Sequence, residues 1–275
     1  MLRRRSRDRR DRKPRDEKPA VQPASPMKRR ARPDAVVPED LRLSKARRGP
    51  PPAPSQGRGK TSQVVLVTGF DPFGGEVTNP SWDICARLSK EIAGMRVETC
   101  KVPCQFRRAI EVVAEAIERH RPAIVISLGQ AGGRSRIGVE RVAINVDDAR
   151  IADNAGAQPI DEMIAANGPP AYFATIPVKA MARGIRAAGV PAEVSNSAGT
   201  FVCNHVMYGV LHYLAASGNR ARAGFIHVPY AESQVHDKPD APAMSIESMT
   251  KAIEAAIGAA IEHPHDIGVP EGALD

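Results

Sequence analysis

The chain has 275 residues, 42% of them hydrophobic but only 4% aromatic, and a formal net charge of +8. Residues 1–60 hold 20 Lys/Arg against 7 Asp/Glu, a net +13, so residues 61–275 carry −5 and the basic character belongs to the first 60 residues. The apolar runs are strand-sized and broken by charge, which excludes a membrane-spanning helix, and four cysteines (Cys85, Cys100, Cys104 and Cys203) are too few for a disulfide scaffold.

In chain order, residues 1–60 come first, with ten prolines, three leucines (Leu2, Leu41 and Leu43) and no aromatic residue. Such a segment buries too little apolar surface to offset chain entropy, and a disordered basic extension is expected ahead of one large domain at 61–275. The start Met1-Leu-Arg-Arg-Arg-Ser-Arg has no apolar stretch behind its charges, so no secretory signal is expected and a reducing cytoplasm fits the thiols. Strand and helix signals then alternate. The sequence predicts strands over 64–68, 96–100, 123–127, 140–145, 172–175, 192–195 and 222–227. Helices are predicted over 82–93, 105–120, 178–188, from Cys203 onward, and over 245–262, where Ile246, Met249, Ile253, Ile257 and Ile261 share one face. Strands alternating with helices imply an α/β fold of three layers, α/β/α, around a largely parallel twisted sheet.

In such folds ligands gather beyond the carboxyl ends of the strands. Four segments fall there: Gly69-Phe-Asp-Pro-Phe-Gly-Gly75, Gly129-Gln-Ala-Gly-Gly-Arg134, the turn Ser195-Asn-Ser-Ala-Gly-Thr-Phe-Val before Cys203, and His227-Val-Pro-Tyr230. Cys203 opens a helix, where free N–H groups and the helix dipole favour an anion and lower a thiol pKa. His227, at the end of an apolar strand, is the best-placed base. His205 is nearer in sequence but is rotated roughly 200° around the helix from Cys203. Phe70 and Phe73, two of six phenylalanines, stand in a loop, where they are expected either as core residues or as a slot suited to a flat ligand. Gly59-Lys60-Thr61 lacks the first glycine and the preceding strand of a phosphate loop, the Gly129 loop lacks dinucleotide spacing, and Cys100, Cys104, His263 and His265 are too scattered for zinc, so neither metal nor cofactor is expected.

Five ordered motifs carry a resemblance. They are Gly69 through Trp82, Gly129-Gln-Ala-Gly-Gly-Arg134 with Glu140-Arg-Val-Ala-Ile-Asn145, Asp147-Asp-Ala-Arg150, Ser195 through Asn204, and His227-Val-Pro. With these, residues 64–262 closely resemble pyroglutamyl peptidase I, a family of cytosolic cysteine peptidases. The resemblance implies an α/β/α fold and hydrolysis of an N-terminal 5-oxoproline from peptides by a triad falling on Cys203, His227 and Glu140. It further implies Phe70, Phe73 and Phe201 as walls around the pyrrolidone ring, Asn79 and Gln130 as its polar contacts, Arg150 near the reacting carbonyl, and a homo-oligomer, with a tetramer as the first guess. Asp147 and Asp148 remain rivals of Glu140 by sequence order alone. One departure stands out: Gly138, two residues before Glu140, replaces the Ser or Thr usual in the family, and looser positioning of Glu140 is expected. The basic extension is outside the family pattern; its charge suits weak, non-specific binding to anionic partners.

Overall fold

A computed structural model describes residues 63–272. The expected disorder of residues 1–60 and the Gly59-Lys60-Thr61 segment therefore lie outside the described residues.

The chain enters through strand β1 (Val64–Phe70), helix α1 (Pro80–Cys85), β2 (Glu91–Ile92) and β3 (Met95–Val102), then α2 (Arg108–His120) and β4 (Ile124–Gln130). Next come β5 (Ile137–Glu140), β6 (Val142–Ile144), β7 (Ala171–Phe173), α3 (Val178–Ala187) and β8 (Ala192–Ser195). The last part holds α4 (Val202–Ser217), β9 (Arg222–Val228), the short pair β10 (Tyr230–Ala231) and β11 (Ala243–Met244), and α5 (Ile246–Glu262). The main sheet has seven strands in the order β2-β3-β1-β4-β9-β5-β8. Its centre, β3-β1-β4-β9, is parallel, while β2 pairs antiparallel with β3 and β5 antiparallel with β9.

The period-two alternation of strand side chains divides the core into two layers. Val65, Val67, Ile124 and Ile126 point to the face covered by α1, α3 and α5, with Met181, Ile185, Met249, Ile253 and Ile257 against them. Leu66, Val125 and Phe225 point to the face covered by α2 and α4, with Val113, Ile117, Val206 and Leu211. Strands buried on both sides read as continuous apolar runs for this reason.

Two expectations about elements change. The helix expected over 82–93 is only Pro80–Cys85. Ala93 (φ 47°) and Gly94 (φ 77°) make a tight left-handed turn that folds β2 back onto β3. Ile84 and Leu88 are buried as helix spacing requires, so their periodicity imitated a longer helix. The strand expected over 140–145 divides at Arg141: β5 joins the main sheet, and β6 pairs with β7 in a separate ribbon.

Candidate active site

The register of three adjacent strands places His227 between two glycines. Across β4 and β9 it lies beside Gly129, and across β9 and β5 beside Gly138, all on the face covered by α4. A Cβ on Gly129 would sit 2.9 Å from Cys203 Sγ and 2.7 Å from the Phe225 ring. Glycine is thus required where the sulfur rests against β4, next to the strand that carries His227. Cys203 is the second residue of α4, whose N-cap Phe201 supplies no side-chain cap. The first N–H groups of that helix are left free, since no preceding turn exists to accept them. Asn204, the next residue, pins the helix start to β6: its Oδ1 accepts from Ile144 N (2.9 Å), and its Nδ2 donates to Ile144 O (2.9 Å) and Val146 O (3.1 Å).

Among the three rival carboxylates, Glu140 is the one on His227. Its Oε1 lies 2.7 Å from His227 Nδ1, and the side chain is 0% exposed. A carboxylate at Nδ1 fixes the tautomer with the proton there, leaving Nε2 as the basic nitrogen. Asp147 is engaged elsewhere: its Oδ2 lies 2.7 Å from His205 Nδ1, and His205 Nε2 accepts the Arg107 backbone N–H at 2.7 Å. Asp148 is exposed and ties its backbone to Thr200. The expected lowering of the Cys203 pKa needs correction. Burial, with Cys104 and Glu140 adding to it, pushes the thiol up against an opposing pull from Arg134. That direction favours the neutral thiol over the thiolate, so any use of this sulfur as a nucleophile calls for a base beside it. Cys104, buried nearby, is pushed up to about 12 for the same reason.

Arg134 is one residue whose role the sequence did not mark. It closes the Gly-rich turn after β4, and its Nη1 donates to Glu140 Oε1 at 2.8 Å. The looser Glu140 expected from Gly138 is not what the geometry gives. The space a side chain at 138 would fill holds the Arg134 guanidinium, so Glu140 gains a charged partner.

A family model described as pyroglutamyl peptidase matches residues 63–263. The chain belongs to the pyroglutamyl peptidase family. The pyrrolidone-carboxylate peptidase of Yersinia pestis (strain Pestoides F) is 50% identical over 211 residues, spanning 76% of this chain and 98% of that relative. The crystal structure of pyroglutamyl peptidase I from Bacillus amyloliquefaciens superposes with a TM-score of 0.73 at 45% identity, covering 75% of this chain and all of that one. Pyrrolidone carboxyl peptidase from Thermococcus litoralis gives 0.73 at 42% identity, over 76% of this chain and 99% of its own.

Of the pocket residues implied by resemblance to pyroglutamyl peptidases, Phe73 and Phe201 come together, half-buried, with ring centroids 6.1 Å apart. Phe106 extends this wall, edge-on to Phe201 at 5.4 Å and to His205 at 5.3 Å. No motif marked it. Phe70 is different. At 2% exposed it packs on Phe225, which itself contacts His227, so it is core behind the site and not an exposed slot wall. Asn79 is the N-cap of α1: its Oδ1 accepts from Ser81 N and Ser81 Oγ, and its Nδ2 donates to Asp71 O. Buried and so engaged, it shapes the Phe70–Phe73 loop from within. Gln130 ends β4 on the face away from Gly129, and its Oε1 accepts from Gln234 Nε2 at 2.9 Å. Gln234, another buried residue unmarked in the sequence, thereby leaves the Gln130 amide NH2 as the group to offer a ligand beyond the strand end. Arg150 is exposed, two residues beyond the Asp148–Thr200 junction. Among the described residues no group of three or more His, Cys, Asp or Glu is arranged to hold a metal, and no helix is long and apolar enough to cross a membrane.

Proposed function

We propose that this chain is a cysteine peptidase that removes an N-terminal pyroglutamyl (5-oxoprolyl) residue from peptides through an acyl-enzyme on Cys203. The observation that carries the reading is the alignment of a helix-start sulfur against Gly129, beside a histidine whose Nδ1 is held by a buried carboxylate. His227 Nε2 takes the Cys203 proton as Sγ attacks the pyroglutamyl carbonyl. The oxyanion is stabilised by the free N–H groups at the start of α4. The tetrahedral intermediate collapses, the C–N bond breaks, and the imidazolium gives its proton to the leaving amine. Water, deprotonated by His227, then attacks the thioester and releases 5-oxoproline. Glu140 keeps the ring oriented through both halves.

A pyroglutamyl substrate has no ammonium group for carboxylates to anchor, so shape and lactam hydrogen bonds must select it. Phe73 and Phe201, with Phe106 behind them, supply flat apolar contact. The Gln130 NH2 supplies a donor for the ring carbonyl. Such a donor discriminates strongly, since an analogue without the acceptor leaves it unpaired. The deciding experiment is release of a chromophore from a pyroglutamyl amide beside its prolyl analogue. Turnover of the first, absence with the second, and loss on thiol alkylation are expected. Equal turnover of both would refute the substrate class.

Two further readings belong here. Exposed Ile144, Ile151, Ile160, Met163 and Phe173 on the β6–β7 ribbon and its neighbouring loops support self-association, with a tetramer as the form to test by light scattering. Four cysteines, all free, support a reducing cytoplasm.

A further inference from the structure

His227 is flanked by two glycines, and each gives its space to a different group. Gly129 admits the Cys203 sulfur, as above. On the other side, a Cβ on Gly138 would lie 2.7 Å from Arg134 Nη1 but an ordinary 3.5 Å from Glu140 Oε1 and Ser195 Cβ. Only the guanidinium contends for that volume. Arg134 is 32% exposed, and its inner end is committed: Nη1 donates to Glu140 Oε1 at 2.8 Å and reaches Ser195 Oγ at 3.5 Å, while Nη2 donates to Ser197 O at 3.3 Å. Glu140 Oε1 thus serves two partners, and Glu140 Oε2 is buried with none among the described residues. A carboxylate with no exposure and one empty oxygen favours its neutral form unless a cation faces it.

We propose that Arg134, admitted by Gly138, is a positioning residue that holds the Glu140 carboxylate turned toward His227 and sets a fixed cation against any further positive charge on that pair. The inference rests on the reading of Cys203 and His227 as nucleophile and base. Among the described residues, the titratable and charged groups linked to the imidazole by contacts are Glu140 from β5, Arg134 through Glu140 from the β4–β5 turn, and Cys203 across Gly129 from the start of α4, with Cys104 near the sulfur. Arg134 is the single permanent cation in that set. Without it, Glu140 faces only the imidazole, and no fixed cation opposes a positive charge there. A protonated His227 cannot accept the thiol proton, so catalysis is lost at the acid side of the pH profile first.

The test compares wild type with Arg134→Gln, Arg134→Lys, Gly138→Ala and the double variant Arg134→Gln/Gly138→Ala. Gly138 lies in ordinary strand backbone, so alanine there acts by displacing a flexible side-chain end. Two profiles are measured against pH: kcat/KM on a pyroglutamyl amide, and the rate of Cys203 alkylation by iodoacetamide, which needs no substrate. Arg134→Gln is expected to lower kcat/KM on the order of tenfold with KM little changed, and to move the acid limb of both profiles upward by about one pH unit. Gly138→Ala should reproduce that shift, Arg134→Lys should recover part of it, and the double variant should add nothing to either single one. Acid limbs that coincide with wild type in Arg134→Gln and Gly138→Ala, or effects that sum in the double variant, would overturn the proposal. Melting temperatures identify any variant whose loss is merely structural, and Gly138→Ala keeps the test alive if Arg134→Gln folds poorly. Should Cys203→Ala retain turnover, the reading of the site fails instead, and the two failures are distinguished.

Discussion

Truncating Phe70 and Phe73 separately distinguishes a core residue from a pocket wall, although both lie in one short loop region. Phe70 is 2% exposed, among Leu66, Val102, Val125 and Phe225. An aromatic side chain buries on the order of 150–250 Å², worth roughly 4–6 kcal/mol at about 25 cal/mol per Å². Alanine keeps part of that area and the neighbours close part of the void, so Phe70→Ala should cost about 4 kcal/mol. In a domain of this size each kcal/mol moves the melting temperature by about 2–4 °C, so a fall on the order of 10 °C is expected. Phe73 is half-exposed and rests mainly on the Phe201 ring, a contact worth about 1 kcal/mol, so Phe73→Ala should lose only a few degrees. Its effect should fall on KM, because the removed face is one the pyrrolidone ring would cover. Calorimetry on both variants, with Michaelis kinetics on a pyroglutamyl coumarin amide well below either midpoint, reads the two costs apart. Phe70→Ala melting with wild type while its KM rises would refute the assignment of that ring to the core.

The remaining predictions are shorter. Cys203→Ala should abolish turnover with its melting temperature preserved, whereas Cys85→Ala, Cys100→Ala and Cys104→Ala should leave kcat within a few-fold of wild type. Gln234→Ala frees the Gln130 amide to rotate, and paired kinetics should show the preference for pyroglutamyl over prolyl amides narrowing by about tenfold, the cost of one buried hydrogen bond to a substrate. Burial raises Cys104 to about 12 in the folded chain, while in the unfolded chain it titrates near 9. A raised folded pKa stabilises fully below the unfolded value and is lost as pH rises through the folded one, so stability should fall between pH 9 and 12. Cys104→Ala should flatten that decline by about 1.4 kcal/mol per pH unit, measured by urea unfolding across the window. Removing residues 1–60 should leave turnover unchanged and abolish any salt-sensitive binding to nucleic acid or anionic lipid, since the remainder carries −5.

Some parts of the site were legible because their signals are local. A cysteine after a small-residue turn and before an apolar helical run reports its own position, and so does a histidine closing an apolar strand. α4 and β9 appear where those patterns put them. The aromatic wall was legible only in part. Phe73 and Phe201 are separated by more than a hundred residues, and nothing local says that Phe106 turns its edge to Phe201 while Phe70 turns inward to Phe225. The difference for Phe70 is strand parity: it lies on the same face as Leu66 and Thr68, and β1 continues to it instead of ending at Thr68. Asn79 before Pro80 carried a helix-cap signal, and that local role consumed its polar groups.

The third group of the site was ambiguous for a deeper reason. Glu140 reaches His227 because β5 runs against β9 with Gly138 opposite His227 and Glu140 opposite Phe225. In a parallel-sheet reading that reversal is invisible, and sequence order leaves Asp147, Asp148 and Glu140 equivalent. Register decides among them. A slip of one residue would turn Glu140 to the other face of the sheet and set Val139 or Arg141 in its row. The same register puts Gly138 where the Arg134 guanidinium must pass. A glycine that looked like a loosening of Glu140 in one dimension is, in the folded sheet, the opening through which that carboxylate receives its cation.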